Sequence, residues 1–262
     1  MQGVLFVSGI CVGSFANVLI DRLPRGEDVF RGRSHCDFCK KNLRWFELIP
    51  IVSFFVQGGR CRRCRKRLSI QYPLVELVMG MMVLLLGLFV VHATLPYQYV
   101  EIIGLLLVGF ALLVIVVSAL KYEIIPDSMV VLGLIGAGLL LLSPTPYPLN
   151  QPLTAGGPIP FFLSGFGASL FFLFLWFITG GRGMGLGDVK LVFLLGLLTG
   201  FPKIVIALYC AFLTGAAVGI ILMVAGKKKL KSHVPFGPFL VFGTVIATVY
   251  GDVITQWWST LL

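Results

Sequence analysis

Charge is scarce in this chain of 262 residues. Only 12% are Asp, Glu, Lys or Arg, about half the share usual in a soluble domain. Hydrophobic residues make up 58% and the mean hydropathy is +0.98. This excludes an ordinary soluble domain and points to a polytopic membrane protein. Acidic residues are scarcer still, 11 against 21 basic ones, which leaves a net charge of +10. Nucleic acid is not the expected partner, because no nucleic-acid-binding motif accompanies the charge. Histidine is limited to His35, His92 and His233, which are scattered. His35 reads as a neighbour of Cys36 rather than as a ligand. The first apolar run has neither a basic n-region nor a small-x-small site, so a cleavable signal peptide is not expected.

What is abundant is apolar sequence. Eight spans can be drawn, at about 3–20, 74–91, 98–118, 128–142, 159–179, 188–200, 204–225 and 236–256. Most approach the ~20 residues that cross ~30 Å of hydrocarbon. The sixth, with Asp188 in its first turn, is short, and a helix there is expected to be surrounded by protein rather than lipid. With eight crossings, one side receives 21–73, 119–127, 180–190 and 226–235. Those segments carry 20 of the 21 basic residues, and only Lys203 falls opposite. The basic side is expected to be cytoplasmic, with both termini outside. The Lys227, Lys228, Lys229 and Lys231 run then reads as a topology anchor and a contact for anionic lipid.

Residues 21–73 form the one sizeable polar segment, with Cys36-x-x-Cys39 and Cys61-x-x-Cys64 separated by 21 residues. Two such pairs suit a tetrahedral, structural zinc, although the interval is slightly beyond the usual ribbon spacing. Redox pairs and unliganded thiols are the alternatives. A reducing cytoplasmic side favours metal, and Lys40, Lys41, Arg60, Arg62, Arg63 and Arg65 would favour thiolates. Cys11 and Cys210 lie alone in apolar spans and read as packing residues. The expected fold is an all-α polytopic membrane protein. About eight transmembrane helices carry a small cytoplasmic zinc-binding module between the first and the second. The domains would be 1–20, 21–73 and 74–262.

Two polar islands interrupt the apolar sequence. Ala119-Leu120-Lys121-Tyr122-Glu123-Ile124-Ile125-Pro126-Asp127 closes one span, and Gly185-Leu186-Gly187-Asp188-Val189-Lys190 opens another. Together they resemble the active-site segments of prepilin peptidases, intramembrane aspartic proteases of the GxGD type. The opening Gly13-Ser14-Phe15-Ala16-Asn17-Val18, followed by Arg22-Leu23-Pro24, is similar to the start of the bifunctional members. Pro50, Ser53, Gly58, Tyr72-Pro73-x-x-Glu76 and Pro235-Phe236-Gly237-Pro238 continue the likeness.

The resemblance implies a peptidase core from about residue 98, with Asp188 catalytic and Gly185 and Gly187 in its active-site loop. The family's first catalytic aspartate stands seven residues before the Pro of the Pro-Asp pair, where this chain has Ala119. The resemblance therefore implies a peptidase lacking half its dyad. Two origins fit: a deliberately inactivated variant, favoured by the intact surrounding motif, or a natural paralogue that has lost the activity. Asp127, eight residues on, reads as a helix cap. Asp188 before an apolar helix is also compatible with a cap alone.

The resemblance further implies S-adenosylmethionine as methyl donor, type IV prepilins and pseudopilins as substrates, and the bacterial inner membrane as location. No Gly-rich Rossmann loop marks a soluble-type methyltransferase. Asn17 and Glu76, polar residues in or beside apolar spans, are candidates for methyl transfer or for helix packing and capping. A non-enzymatic zinc-bearing scaffold or degenerate paralogue that binds pilins, and a transporter, are the competing classes. A transporter predicts internal repeats, and none is convincing. Gly133-x-x-Gly136 and Ser164-x-x-x-Ala168 would let helices approach closely within the chain, and Trp257 and Trp258 mark an interface.

Overall fold

The computed structural model describes residues 2–29, 31–91, 96–142, 158–181, 184–225 and 235–261, the side chains of 89–91, 96 and 258–261 excepted. His92, His233, the Lys227–Lys231 run, residues 143–157 and the Trp258 side chain lie outside this set. Among the described residues the regular structure is helical. Each of the eight apolar runs forms one helix: α1 (Gln2–Arg22), α3 (Gln71–Val91), α4 (Pro96–Tyr122), α5 (Asp127–Leu141), α6 (Ile159–Thr179), α7 (Leu186–Thr199), α8 (Lys203–Val224) and α9 (Gly237–Leu261). A short α2 (Val52–Val56) lies in the polar segment.

Six of these helices are long and apolar enough to cross a membrane. α5 and α7, of 15 and 14 residues, are not. At 1.5 Å per residue they cover about 22 and 21 Å. The fourth span is thus short as well as the sixth. Local sequence sets the ends. After α4 the chain turns at Glu123 with φ 57° and meets Pro126, which cannot continue a helix. α6 stops at Gly180 in the left-handed conformation.

The chain divides into two compact units, residues 1–102 and 103–262. In the first, α1 and α3 run antiparallel. A Cβ added to Gly13 would stand 2.6 Å from the Glu76 Cα, and one on Gly9 would stand 2.8 Å from the Gly80 Cα. Lipid tails are as apolar as leucine, so helices in a membrane are held by such close backbone packing rather than by hydrophobic expulsion. The pairing sets the C-terminal end of α1 beside the N-terminal end of α3, where the polar segment leaves the one and enters the other.

In the second unit α7 is the buried element. Asp188, Val189, Leu191, Val192, Leu194, Leu195, Gly196, Leu197 and Thr199 are all buried. α6 lies along α7 through Gly165 and Gly196, α5 touches it where Gly133 meets Leu194, and α8 pairs with α9 through Ala207 and Gly243. Gly136 backs onto Gly104, and Ser164 and Ala168 are buried, so the small-residue spacings serve contacts within the chain. A helix too short to span and surrounded by longer ones keeps its polar end away from hydrocarbon.

Candidate functional site

The ends of α4, α7 and α9 meet around Gly237. A Cβ there would stand 3.3 Å from Ile125 Cδ1, 3.6 Å from Leu191 Cδ2 and 3.7 Å from the Ala119 Cβ. Leu191 lies one turn beyond Asp188 and shares its helix face. Ile125 also covers Gly187, where an added Cβ would meet it at 3.0 Å. Ala119, 2% exposed, and Asp188, 7% exposed, therefore belong to one enclosed cluster.

Asp188 is the third residue of α7 rather than its cap. Its Oδ2 accepts the Gly185 N–H at 3.3 Å, and its own N–H donates to the Gly185 carbonyl. That one hydrogen bond fixes the carboxylate at the helix start. Asp127 is the first helical residue of α5, whose N-cap is Pro126, and it makes no capping bond of its own. Its Oδ1 accepts from Lys190 Nζ at 2.8 Å, in an exposed pair. The sequence offered Gly237 only as part of the Pro235-Phe236-Gly237-Pro238 likeness, and it offered no signal for Ser118. Gly237 provides the gap facing Ala119, and the buried Ser118 Oγ, next to Ala119, has no partner among the described residues.

The four predicted cysteines come together. Their sulfurs lie within 4.8 Å of one another. Cys36 Sγ and Cys64 Sγ are 3.9 Å apart, against about 3.8 Å between corners of a tetrahedron with metal–sulfur bonds of ~2.3 Å. The donor set and spacing fit one tetrahedral ion. The two knuckles repeat each other at an offset of 25 residues. Cys36 N–H donates to the Lys41 carbonyl and Cys61 N–H to that of Lys66. Lys40 and Arg65 N–H turn back to the Cys36 and Cys61 carbonyls. Leu43 and Leu68 donate to Ser34 and Gly59. Lys40 and Arg65 both have positive φ, 54° and 59°.

Backbone N–H groups of Cys64 and then Arg63 hold the Cys61 thiol down at about 7. Burial pushes Cys36 up to about 11. Backbone amides, rather than the basic side chains nearby, thus lead the lowering at Cys61. Two of those cations stack on rings instead: Arg62 over Phe46 and Lys66 over Phe38.

Asn17 and Glu76 also lie in one polar cluster, where α1 and α3 begin to part. Asn17 Nδ2 donates to the Tyr72 carbonyl at 3.0 Å, while its buried Oδ1 has no partner among the described residues. Glu76 Oε2 accepts the Ile51 N–H at 2.7 Å. Ile51 has φ 60° and ψ −54°, and Val52 N–H donates to the Pro50 carbonyl at 2.6 Å. This is a γ-turn of the rarer, strained hand, on a β-branched residue. The buried carboxylate clamps the strained amide.

The Tyr72 hydroxyl reaches Asp21 Oδ2 at 2.9 Å and Asp37 Oδ2 at 3.3 Å, tying both helices to the first knuckle. Arg22 donates to the carbonyls of Asp28, Val29, Arg31, Gly32 and Arg33 and gathers the loop after α1. These docking contacts join residues tens of positions apart or bind backbone, and spacing does not reveal them.

Two family models match the chain. The model for the bacterial peptidase A24 N-terminal domain covers residues 7–90, and that for the type IV leader peptidase family covers 105–220. A prepilin leader peptidase/N-methyltransferase of Bacillus subtilis (strain 168) is 30% identical over 98% of both chains. The chain belongs to the prepilin leader peptidase family. Another relative of that description, from Aeromonas salmonicida (strain A449), is 32% identical over 99% of this chain and 94% of its own. One from Stutzerimonas stutzeri is 29% identical over 95% and 90%. No solved structure matches significantly. The first family model holds the cysteine module with the Asn17–Glu76 cluster. The second holds Ala119 and Asp188 but stops before Gly237.

Proposed function

We propose that this chain is a peptidase-inactive member of a bifunctional membrane enzyme class. Active members would cleave type IV prepilins and pseudopilins after Gly and N-methylate the new amino terminus. The observation that carries the reading is the enclosed cluster of Ala119, Ile125, Gly187, Leu191 and Gly237 beside Asp188. With a carboxylate at position 119, two like charges would share one proton. The ionised partner takes a proton from water as the oxygen attacks the scissile carbonyl. The protonated partner gives its proton to the developing oxyanion. Alanine does neither. Gly185, exposed beside Asp188, would leave room for an extended substrate backbone, while Gly187 lets Ile125 close against the start of α7.

Methyl transfer is assigned to the cluster between α1 and α3. S-adenosylmethionine, when bound, supplies an activated methyl group. An unpartnered Asn17 Oδ1 beside a buried Glu76 suits cationic, hydrogen-bonding groups such as an ammonium or sulfonium. Asn17 and Glu76 would hold them, with Glu76 orienting the new amino terminus. Cys36, Cys39, Cys61 and Cys64 would hold a structural zinc, since four thiolates leave no open position for chemistry.

The bacterial inner membrane is the proposed location, with residues 21–73 and the ends of α4 and α7 on the cytoplasmic side. The basic segments support this orientation. The domains are then 1–20, 21–73 and 74–262, with the peptidase core from about 98. The test is a paired incubation of this chain and its Ala119→Asp form with a prepilin and S-adenosylmethionine, followed by mass spectrometry. Cleavage by the Ala119→Asp form alone is expected. No cleavage by either would leave a pilin-binding scaffold as the better reading.

A further inference from the structure

The second knuckle and α2 enclose a groove that neither the peptidase nor the methyltransferase reading uses. It measures about 450 Å³. Ile49, Val52 and Val56 line it together with Arg60, Arg62 and Arg65. No carboxylate is among its lining residues. α2 presents apolar residues to solvent here: Val52 is 55% exposed, Phe55 71% and Val56 82%. An apolar face of this size on the polar part of a chain calls for a partner.

The unit's own topology limits where that partner sits. The module leaves α1 at Arg22 and enters α3 at Gln71, and these helices are antiparallel neighbours, both long enough to cross a membrane. Both tethers emerge at the same membrane face, so the module is held at headgroup height. A ligand there with an anionic head and apolar tails matches three guanidinium groups beside the exposed apolar residues of α2. A soluble anion matches the arginines but leaves the exposed Val52, Phe55 and Val56 of α2 unexplained.

We propose that this groove is a binding site for an anionic phospholipid. The headgroup phosphate would sit between Arg60, Arg62 and Arg65, and the acyl chains would run along Val52, Phe55 and Val56, seating the cysteine module on the bilayer. Apolar insertion plus electrostatic attraction is how interfacial segments bind membranes.

The test uses the full chain. Native mass spectrometry in detergent would count bound phosphatidylglycerol and phosphatidylcholine. Hydrogen exchange of residues 45–70 would be followed in nanodiscs of each lipid. A preference for phosphatidylglycerol is expected, with exchange protection only in its presence. Each basic residue near an anionic surface contributes close to a factor of five. Combined Arg60→Gln, Arg62→Gln and Arg65→Gln should therefore weaken phosphatidylglycerol binding on the order of 100-fold. A second variant, Phe55→Ser with Val56→Ser, leaves the knuckles untouched and should also lose protection while keeping its metal. Equal binding of both lipids by the parent chain would overturn the proposal. So would millimolar inorganic phosphate protecting residues 45–70 in phosphatidylcholine nanodiscs, which would mark a free-anion site.

Discussion

The chain contains two paired constructions, and they differ in completeness. The cysteine knuckles have the same backbone hydrogen bonds at a 25-residue offset, and all four sulfurs converge. The islands at Ala119 and Asp188 lie at the ends of different helices, and of those two positions only 188 carries a carboxylate. The knuckles are held by local backbone, and their four sulfurs are spaced to hold one metal ion. The islands are held by helix packing around Gly237, by the bonds between Asp188 and Gly185, and by the exposed Lys190–Asp127 pair that links them. A ligand site built from local loops is visible in spacing. A site built from packed helix ends is visible only through its neighbours, and its chemistry can be removed without disturbing the packing.

The largest effect expected from breaking this comparison is on catalysis. In the Ala119→Asp background, Asp188→Asn should abolish prepilin cleavage, by roughly 10³-fold or more, since acid–base catalysis alone contributes about 10²–10⁴. Initial rates with a prepilin read this out. Asp188→Asn in the parent chain should leave folding nearly unchanged, because the amide oxygen can still accept the Gly185 N–H.

Next in size is the metal. Structural zinc in small domains is worth about 10–16 kcal/mol of apparent binding free energy. Cys36→Ser and Cys61→Ser should each abolish stoichiometric zinc, measured by elemental analysis, and expose residues 34–68 to proteolysis. The two substitutions should act alike, as the repeat demands. A chain that keeps its metal after either would break the symmetry.

Smaller is the Glu76 clamp. Glu76→Gln keeps the shape but removes the charge that grips the Ile51 amide. Charge-assisted hydrogen bonds contribute about 1.5–3 kcal/mol, and a loss of that order is expected in thermal unfolding of the first unit. Methylation of a mature pilin peptide should fall with it. The smallest effect belongs to the exposed Lys190–Asp127 pair, where Lys190→Ala should cost no more than about 1 kcal/mol.

Much of this architecture is legible in the sequence. All eight apolar runs are helices, and the burial of the sixth follows from its length. Helix α3 starts at Gln71 rather than near residue 74, because Tyr72 and Pro73 carry it into the polar module. The knuckle repeat had a signal, Cys-x-x-Cys followed by basic, Lys, any residue and Leu at both Cys36 and Cys61. The Ile51 γ-turn had none, because its strain is sustained by a carboxylate 25 residues away. Nor did the Asp21–Tyr72–Asp37 junction, and the likeness at Pro235-Phe236-Gly237-Pro238 did not reveal that Gly237 faces Ala119, since each depends on which helices pack together. Periodicity and composition identify helices, but not their partners.

The central claim is that the ends of α4 and α7 form one site. Cysteine cross-linking in native membranes tests it without relying on activity. Ala119→Cys combined with Asp188→Cys should form a disulfide on mild oxidation, detected as a linked peptide pair. Ala119→Cys with Thr199→Cys, at the far end of α7, should not. A link to position 199, or none to position 188, would contradict the account.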